Sequence, residues 1–217
     1  MSIAKILIVD DHPIFRHGLV RLLNEHPHLK VCAEASDAAD ALTAARHFKP
    51  RLAIVDIALP RTNGIDLTRA LRQEFPQLAV LILSMYKDVL YAERAMRAGA
   101  QGYIAKQEAA EKLLTVIQQI LAGKTYFSSE AQERATRMPV ESGTDGAPTL
   151  SDLSDRELQV FQMIGDGKST RQIAKDLNLS IKTIESYRAH IKDKLNLESG
   201  YALVQSAIYW NHFHPKA

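Results

Sequence analysis
Apolar residues follow two patterns along this chain, and the pattern changes once. In the first half, short unbroken runs recur: Ile6-Leu7-Ile8-Val9, Val31-Cys32-Ala33, Leu52-Ala53-Ile54-Val55, Ala79-Val80-Leu81-Ile82-Leu83 and Tyr103-Ile104-Ala105. Runs this short and this rich in β-branched residues predict strands covered on both faces. The stretches between them carry helical periodicity; over Glu111 to Ala122, for instance, Leu113, Leu114, Ile117 and Leu121 share one face. Strand and helix in alternation predict an α/β fold, a doubly wound five-stranded parallel sheet with helices on both sides.

Polar residues stand where these runs end. Asp10 and Asp11 follow the first, Asp56 the third, Ser84 the fourth and Lys106 the last. In a parallel sheet all carboxyl ends lie along one edge, where such sheets bind ligands, so positions far apart in sequence become neighbours. Three carboxylates drawn together raise one another's pKa unless a positive charge sits among them. A hard divalent cation such as Mg²⁺ answers that need, because it accepts few carboxylates and keeps waters for an incoming phosphate. Lys106 adds a fixed cation, and the Ser84 hydroxyl can donate to an oxyanion. Solvated acidic residues also end strands without any function, but independent ones have no reason to converge on one edge.

Past residue 125 the strand runs stop. No apolar stripe persists from Ser128 to Thr149, and Pro139, Gly143, Gly146 and Pro148 punctuate the stretch. This predicts a flexible linker over 126–148, with residues 1–125 and 149–217 as the flanking domains. The pattern leaves open whether Glu130 to Arg137 forms a helix with a polar surface. Leu150 to Ala217 reads as all-helical. Ser154 and Glu157 form a capping box ahead of a helix whose apolar side is Leu158, Phe161, Met163 and Ile164, closed by Gly165 to Gly167. Thr170 to Leu177 predicts a second helix, Asn178-Leu179 a tight turn, and Ser180 the cap of a third helix reaching about Leu195. Two helices joined this tightly make a helix-turn-helix.

In that third helix Ile184, Ile191 and Leu195 recur at steps of seven and four and face inward. The opposite face holds Lys182, Glu185, Ser186, Ala189 and Lys192, with Arg188 at its boundary. It suits a DNA major groove: the basic residues match phosphates and guanine edges, Glu185 can accept from cytosine N4, and Ala189 is small enough for a thymine methyl. The same residues also make an ordinary solvated helix face.

Composition narrows the class. With 217 residues, 46% of them hydrophobic and 24% charged, the chain can bury two modest cores and is too charged for a membrane protein. A strand begins almost at once, which leaves no room for a secretion signal and sets the cytoplasm as the expected location. The single cysteine, Cys32, excludes an internal disulfide and predicts a buried thiol. Charge excludes a strongly basic domain, since residues 150–217 hold nine Lys and Arg against eight Asp and Glu. One copy is therefore expected to bind DNA weakly, and useful affinity to need two copies on a twofold site.

The order and spacing of Asp10, Asp11, Asp56, Ser84 and Lys106 over the first 125 residues closely resemble the receiver domain of bacterial two-component response regulators. The resemblance implies a CheY-like, flavodoxin-like fold in which Asp56 accepts a phosphoryl group from a sensor histidine kinase. Asp10, Asp11, Asp56 and the main-chain carbonyl of Ala58 would hold Mg²⁺. Lys106 and Ser84 would engage the phosphoryl group, and Tyr103 would be the aromatic switch behind Ser84. Met85 is bulkier than the residue many receivers carry there, and Gln107 replaces a common proline. Leu153-Ser154-Asp155-Arg156-Glu157, Ile173 to Ser180 and Thr183-Ile184-Glu185 resemble the LuxR-type output domain of NarL/FixJ regulators, a small all-α four-helix module. This implies a transcription factor, not an enzyme, that contacts double-stranded DNA through Lys182, Thr183, Glu185, Ser186, Arg188, Ala189 and Lys192. It would form a homodimer on phosphorylation, through a last helix near Gly200 to Tyr209 carrying Tyr201, Leu203 and Val204, residues that also suit plain core packing. Two rivals stay open on residues alone: a phosphotransfer enzyme sharing the acidic site, although His12 stands where that class needs an acidic residue, and a helical module that docks a protein instead of DNA.

Overall fold
The computed structural model describes residues 3–85, 89–136 and 149–213. They form two compact units, divided between residues 135 and 136.

In the first unit the apolar runs become β1 (Ala4–Val9), β2 (Leu29–Ala35), β3 (Leu52–Asp56), β4 (Ala79–Ser84) and β5 (Gly102–Ala105). All pairings are parallel, in the order β2-β1-β3-β4-β5. Helices α1 (Pro13–Asn24), α2 (Ala38–Phe48), α3 (Gly64–Glu74), α4 (Val89–Arg97) and α5 (Lys106–Leu121) connect and flank the strands. Alternate strand residues serve two cores. Ile6, Ile8, Leu52, Ile54, Leu81 and Leu83 pack with Leu19 and Leu23 of α1 and Leu113 and Ile117 of α5. Strand neighbours on the other face, such as Leu7, Val9, Val55 and Ile82, are equally buried, which is why the runs are unbroken. The β1–β2 register slips between Ile6 and Leu7, leaving Cys32 as the extra residue, and its thiol donates to the Ile6 carbonyl at 3.3 Å.

Three details differ from the sequence-based expectations. Helix α5 begins at Lys106, directly on the end of β5. Its buried stripe is Ala109, Leu113, Val116, Ile117 and Ile120, while Leu114 and Leu121 are half-buried. The stretch expected to open the linker is ordered at its start: the Tyr126 N–H donates to the Gln101 carbonyl, and Tyr126 returns a bond from the Tyr103 N–H, at 2.8 and 3.0 Å. Helix α6 (Ser129–Thr136) follows, anchored by buried Phe127 and Ala131. The remainder of that stretch, 137–148, lies outside the described residues.

The second unit opens with a 3₁₀ turn (Leu150–Asp152), then α7 (Asp155–Gly165), α8 (Thr170–Asp176), α9 (Ile181–Lys194) and α10 (Gly200–Phe213). The Ser154/Glu157 capping box is present, and Ser169/Gln172 forms another on α8. The turn from α8 to α9 passes through Asn178 at φ 51°, a left-handed conformation that Asn tolerates. Leu158, Phe161, Ile164, Ile173, Leu177, Ile184, Ile191 and Ala207 make the core. Among the described residues no helix is long and apolar enough to cross a membrane.

Gly64 fixes the end of β3. A Cβ there would lie 2.0 Å from the Asp56 carbonyl oxygen, and the Gly64 N–H donates to Ile57 O at 2.9 Å. Gly64→Ala is expected to destabilise the protein by about 3 kcal/mol through backbone overlap. Gly18→Ala, in exposed space on α1 with nothing within 4 Å of the added carbon, is expected to stabilise by about 0.5–1 kcal/mol. Denaturant unfolding of the two variants checks the contrast.

Candidate functional site
The carboxyl edge of the sheet brings together the residues that the sequence places at strand ends. Asp56 pairs in register with Leu83, one residue before Ser84, and Ser84 pairs with Ala105, one residue before Lys106. On the other side of β3, Asp10 continues β1, and its N–H donates to Ala35 O of β2 at 3.1 Å. Asp10, Asp56 and Ser84 are buried, and the Lys106 side chain is 6% exposed.

Lys106 is the hub. Its Nζ donates to Asp10 Oδ2 at 2.7 Å and to Asp56 Oδ2 at 2.8 Å, and it sits 4.5 Å from the Phe15 ring centroid, a cation–π contact. Burial alone would lower this ammonium, but Asp56 and Asp10 outweigh it and hold Lys106 above its ordinary value. Burial pushes the Asp56 carboxyl up to about 6; Asp10 adds to the shift and Lys106 opposes it. Asp11 is raised by burial and by Asp10, against the pull of His12 and Lys106. One ammonium thus faces more carboxylate charge than it can neutralise.

Asp56 Oδ1 is buried and has no hydrogen-bond partner among the described residues, although the nearby Ala58 amide favours its charged form. Buried oxygens are rarely left unmet, so this one marks where a ligand belongs. The oxygens of Asp10, Asp11 and Asp56 and a ring nitrogen of His12 lie within 4.8 Å of one another. This donor set fits a divalent cation. Ala58 lies two residues beyond Asp56, in the turn held by Leu59 N–H and Gly64 N–H on the Ile57 carbonyl.

His12 and Phe15 were not singled out as site residues from sequence, and the signal for both was position alone, just after the acidic pair. Arg16 joins them, donating to the Asp10 carbonyl at 2.7 Å and to Glu34 at 3.1 Å. Tyr103 is buried in β5, on the strand beside Ser84. Met85 stands at the rim, 46% exposed, where Gln107 Nε2 donates to its carbonyl at 3.4 Å.

In the second unit, Lys182, Glu185, Ser186 and Ala189 are exposed along α9, while Thr183, Arg188 and Lys192 are half-exposed. Thr183 shares a hydroxyl contact with Ser180 at 2.8 Å, and Ser186 donates back to the Lys182 carbonyl at 3.1 Å. The inner face is tied down by Ile184 and Ile191, and its last turn by Lys194 Nζ on Glu157 Oε2 at 2.7 Å. One expectation for α10 needs correction. Leu203 is fully buried in this unit's core and offers nothing to a partner surface. Among the described residues, the exposed large apolar side chains of α10 are Tyr201, Ile208 and Tyr209, with Val204 half-buried.

Comparison with known proteins agrees with both units. Residues 6–118 match the response regulator receiver domain, and residues 151–207 match the luxR family of bacterial regulatory proteins. The chain is 36% identical to the transcriptional activator protein ExaE of Pseudomonas putida over 203 residues, which cover 94% of this chain and 95% of that one. Among solved structures, a LuxR-family two-component response regulator from Aurantimonas is 37% identical with a TM-score of 0.58, over 64% of this chain and all of that one. RcsB of Salmonella enterica serovar Typhimurium, solved on the promoter rprA with the phosphomimetic BeF₃⁻, is 26% identical with a TM-score of 0.59 over 94% and 98% of the two chains.

The raised Asp56 carboxyl has a consequence for stability. A carboxyl whose pKa rises on folding stabilises fully below its ordinary value of 3.8 and loses that contribution as pH climbs through about 6. Metal-free protein is expected to weaken across that window, and Asp56→Asn, which cannot ionise, to be about 3 kcal/mol more stable than wild type at neutral pH. Unfolding curves of both proteins in chelator, from acid to neutral pH, check this; equal stability at neutral pH contradicts it.

Proposed function
Since the chain belongs to the transcriptional response regulators that join a receiver domain to a LuxR-type DNA-binding domain, we propose that phosphorylation of Asp56 by a sensor histidine kinase controls its dimerisation and its sequence-specific binding of DNA. The observation that carries this reading is Asp56 itself: a buried carboxylate with one oxygen on Lys106 and the other without a hydrogen bond among the described residues.

An Asp56 oxygen attacks the phosphorus of a phosphohistidine; the P–N bond breaks, its electron pair stays on the leaving imidazole, and an acyl phosphate forms. The carboxylates of Asp10, Asp11 and Asp56 and the main-chain carbonyl of Ala58 would hold Mg²⁺. Bound there, it supplies charge neutralisation for the transferring group. Lys106 keeps its position on Phe15 and pairs with phosphoryl oxygens. Ser84 donates its hydroxyl to the same oxygens, and Tyr103 turns behind it. Donors recruited by a new dianion favour one of two existing arrangements of the protein.

The output end uses α9 in the major groove. Lys182, Arg188 and Lys192 meet phosphates or guanine, Glu185 and Ala189 read base edges, and Thr183 and Ser186 hold the helix surface at the groove. Tyr201 and Val204 of α10 contribute to the dimer surface, with Leu203 packing beneath them. The RcsB neighbour, solved on promoter DNA with a phosphomimetic, supports this direction of coupling. On this reading the protein works in the cytoplasm, where it would meet both kinase and DNA.

Incubation with Mg²⁺ and a small acyl-phosphate donor is expected to add one phosphoryl mass to wild type and none to Asp56→Asn, and light scattering to show a dimer only for the former. Equal labelling of the two overturns the assignment. Arg188→Ala is expected to weaken binding to a selected operator by about 1–3 kcal/mol, and Lys192→Ala to lower the salt dependence by about one ion; titrations at several salt concentrations measure both.

A further inference from the structure
We infer that Glu157 is a positioning residue for α9: its carboxylate fixes the roll of that helix about its axis, and with it the sequence discrimination of the output unit. The inference rests on the reading that α9 enters a DNA groove, and it concerns what aims the helix there.

The apolar seam alone fixes that roll weakly. Of the fourteen residues of α9, only Ile184 and Ile191 are buried. They stand about two turns apart on one line, and an apolar contact along a single line is non-directional, so small rotations cost little. A second restraint has to sit off that line. His190 and Lys194, four residues apart, share a flank of α9 between the apolar line and the groove-facing Ser186 and Ala189.

Glu157 grips that flank. Its Oε2 accepts from Lys194 Nζ at 2.7 Å, and its Oε1 lies 3.6 Å from His190 Nδ1. Lys194 is 41% exposed and its ammonium could point to water, yet it turns to this carboxylate. The carboxylate is itself held, buried in the first turn of α7. There the Ser154 N–H donates to the same Oε2 at 2.8 Å, and the Glu157 N–H donates to Ser154 Oγ at 3.3 Å. Burial alone would raise this carboxyl, but the Lys194 and Ser154 bonds outweigh it and hold it below its ordinary value. The contact with Lys194 is therefore charge-assisted and directional, which the apolar seam is not. Base edges are read by hydrogen bonds that weaken steeply off line, and such constellations tolerate only about 10–20° of misalignment. A loosened roll thus costs discrimination between sequences more than attraction to phosphates.

The test titrates the full chain, with Mg²⁺ and a small acyl-phosphate donor, against a duplex selected from a random pool and a scrambled duplex of equal length. Glu157→Gln keeps an oxygen for the Ser154 N–H but loses the charge, Lys194→Met removes the ammonium, and Lys194→Arg keeps a cationic donor. Electrostatics alone gives the first two opposite effects, because losing a negative charge strengthens DNA binding and losing a positive charge weakens it, for both duplexes alike. Positioning gives them the same sign. Each is expected to lower the selected-to-scrambled affinity ratio by about fivefold or more, the double variant to lose no more than either alone, and Lys194→Arg to stay within about twofold of wild type. Denaturant unfolding sets conditions in which the variants are folded; should Glu157→Gln not fold, Lys194→Met against Lys194→Arg carries the same test. An unchanged ratio in Glu157→Gln or Lys194→Met overturns the inference, as does additive loss in the double variant. Wild type that holds both duplexes equally removes the reading of α9 beneath it as well.

Discussion
The bond from the Lys106 ammonium to Asp10 and Asp56, at 2.7 and 2.8 Å, is the contact that the rest of the receiver site depends on. Removing the ammonium would leave two buried carboxylates uncompensated, a loss that typically costs about 3–5 kcal/mol. Here the pairing is uneven from the start. One ammonium bridges two buried carboxylates, and a third, Asp11, stands beside them. The sheet edge is held together by a cation that is not enough, and the shortfall gives it affinity for a second. The Phe15 face against Lys106 Nζ works in the same direction. It keeps the ammonium in place with a quadrupole instead of another anion.

Such a charge imbalance persists only if the backbone cannot relax away from it. β3 lies between β1 and β4, so Asp56 belongs to a central strand. Directly after it the chain doubles back, with Leu59 and Gly64 both donating to the Ile57 carbonyl and Asn63 capping α3. Gly64 lets α3 start so close to Asp56 that no Cβ fits. Asp56 is therefore held from both sides, by sheet hydrogen bonds before it and by a capped helix after it. On the proposed phosphorylation of Asp56 this rigidity is an advantage, since little reorganisation is needed when charge appears.

The strands and their polar ends were legible in the sequence because a parallel sheet imposes two rules at once. Both faces are covered, so Leu52 to Val55 is unbroken, and the carboxyl edge is open, so Asp56 can follow it. What escaped was contact made by residues without a periodic signal. His12 and Phe15 flank a proline at a helix start, where spacing says nothing about which way a ring turns. The Tyr126 bridge rests on a single pair of backbone bonds, too short to leave an apolar run. Leu203 failed differently. A leucine on a small domain's last helix serves a partner or its own core equally well by pattern, and only the packing, with Leu203 fully buried and Tyr201 72% exposed, separates the two.

Two units with separate cores also constrain how a chemical event on one can govern the other. On the proposed switch, the phosphoryl group arrives at the sheet edge while the groove-reading face lies on α9, so the message has to be a change in population between arrangements. Moving such an equilibrium from mostly one state to mostly the other takes about 5.5 kcal/mol of differential interaction, a sum within reach of a dianion that recruits several charged donors. The second unit makes the demand on its partner copy explicit. With nine basic against eight acidic residues over 150–217, it carries little non-specific attraction for DNA, so one copy on one half-site is released easily. Joining two copies turns the second half-site into an intramolecular contact at raised effective concentration. On the proposed switch, a nearly neutral output unit is what would let dimerisation act as the control: a strongly basic one would hold DNA whether or not Asp56 carried phosphate.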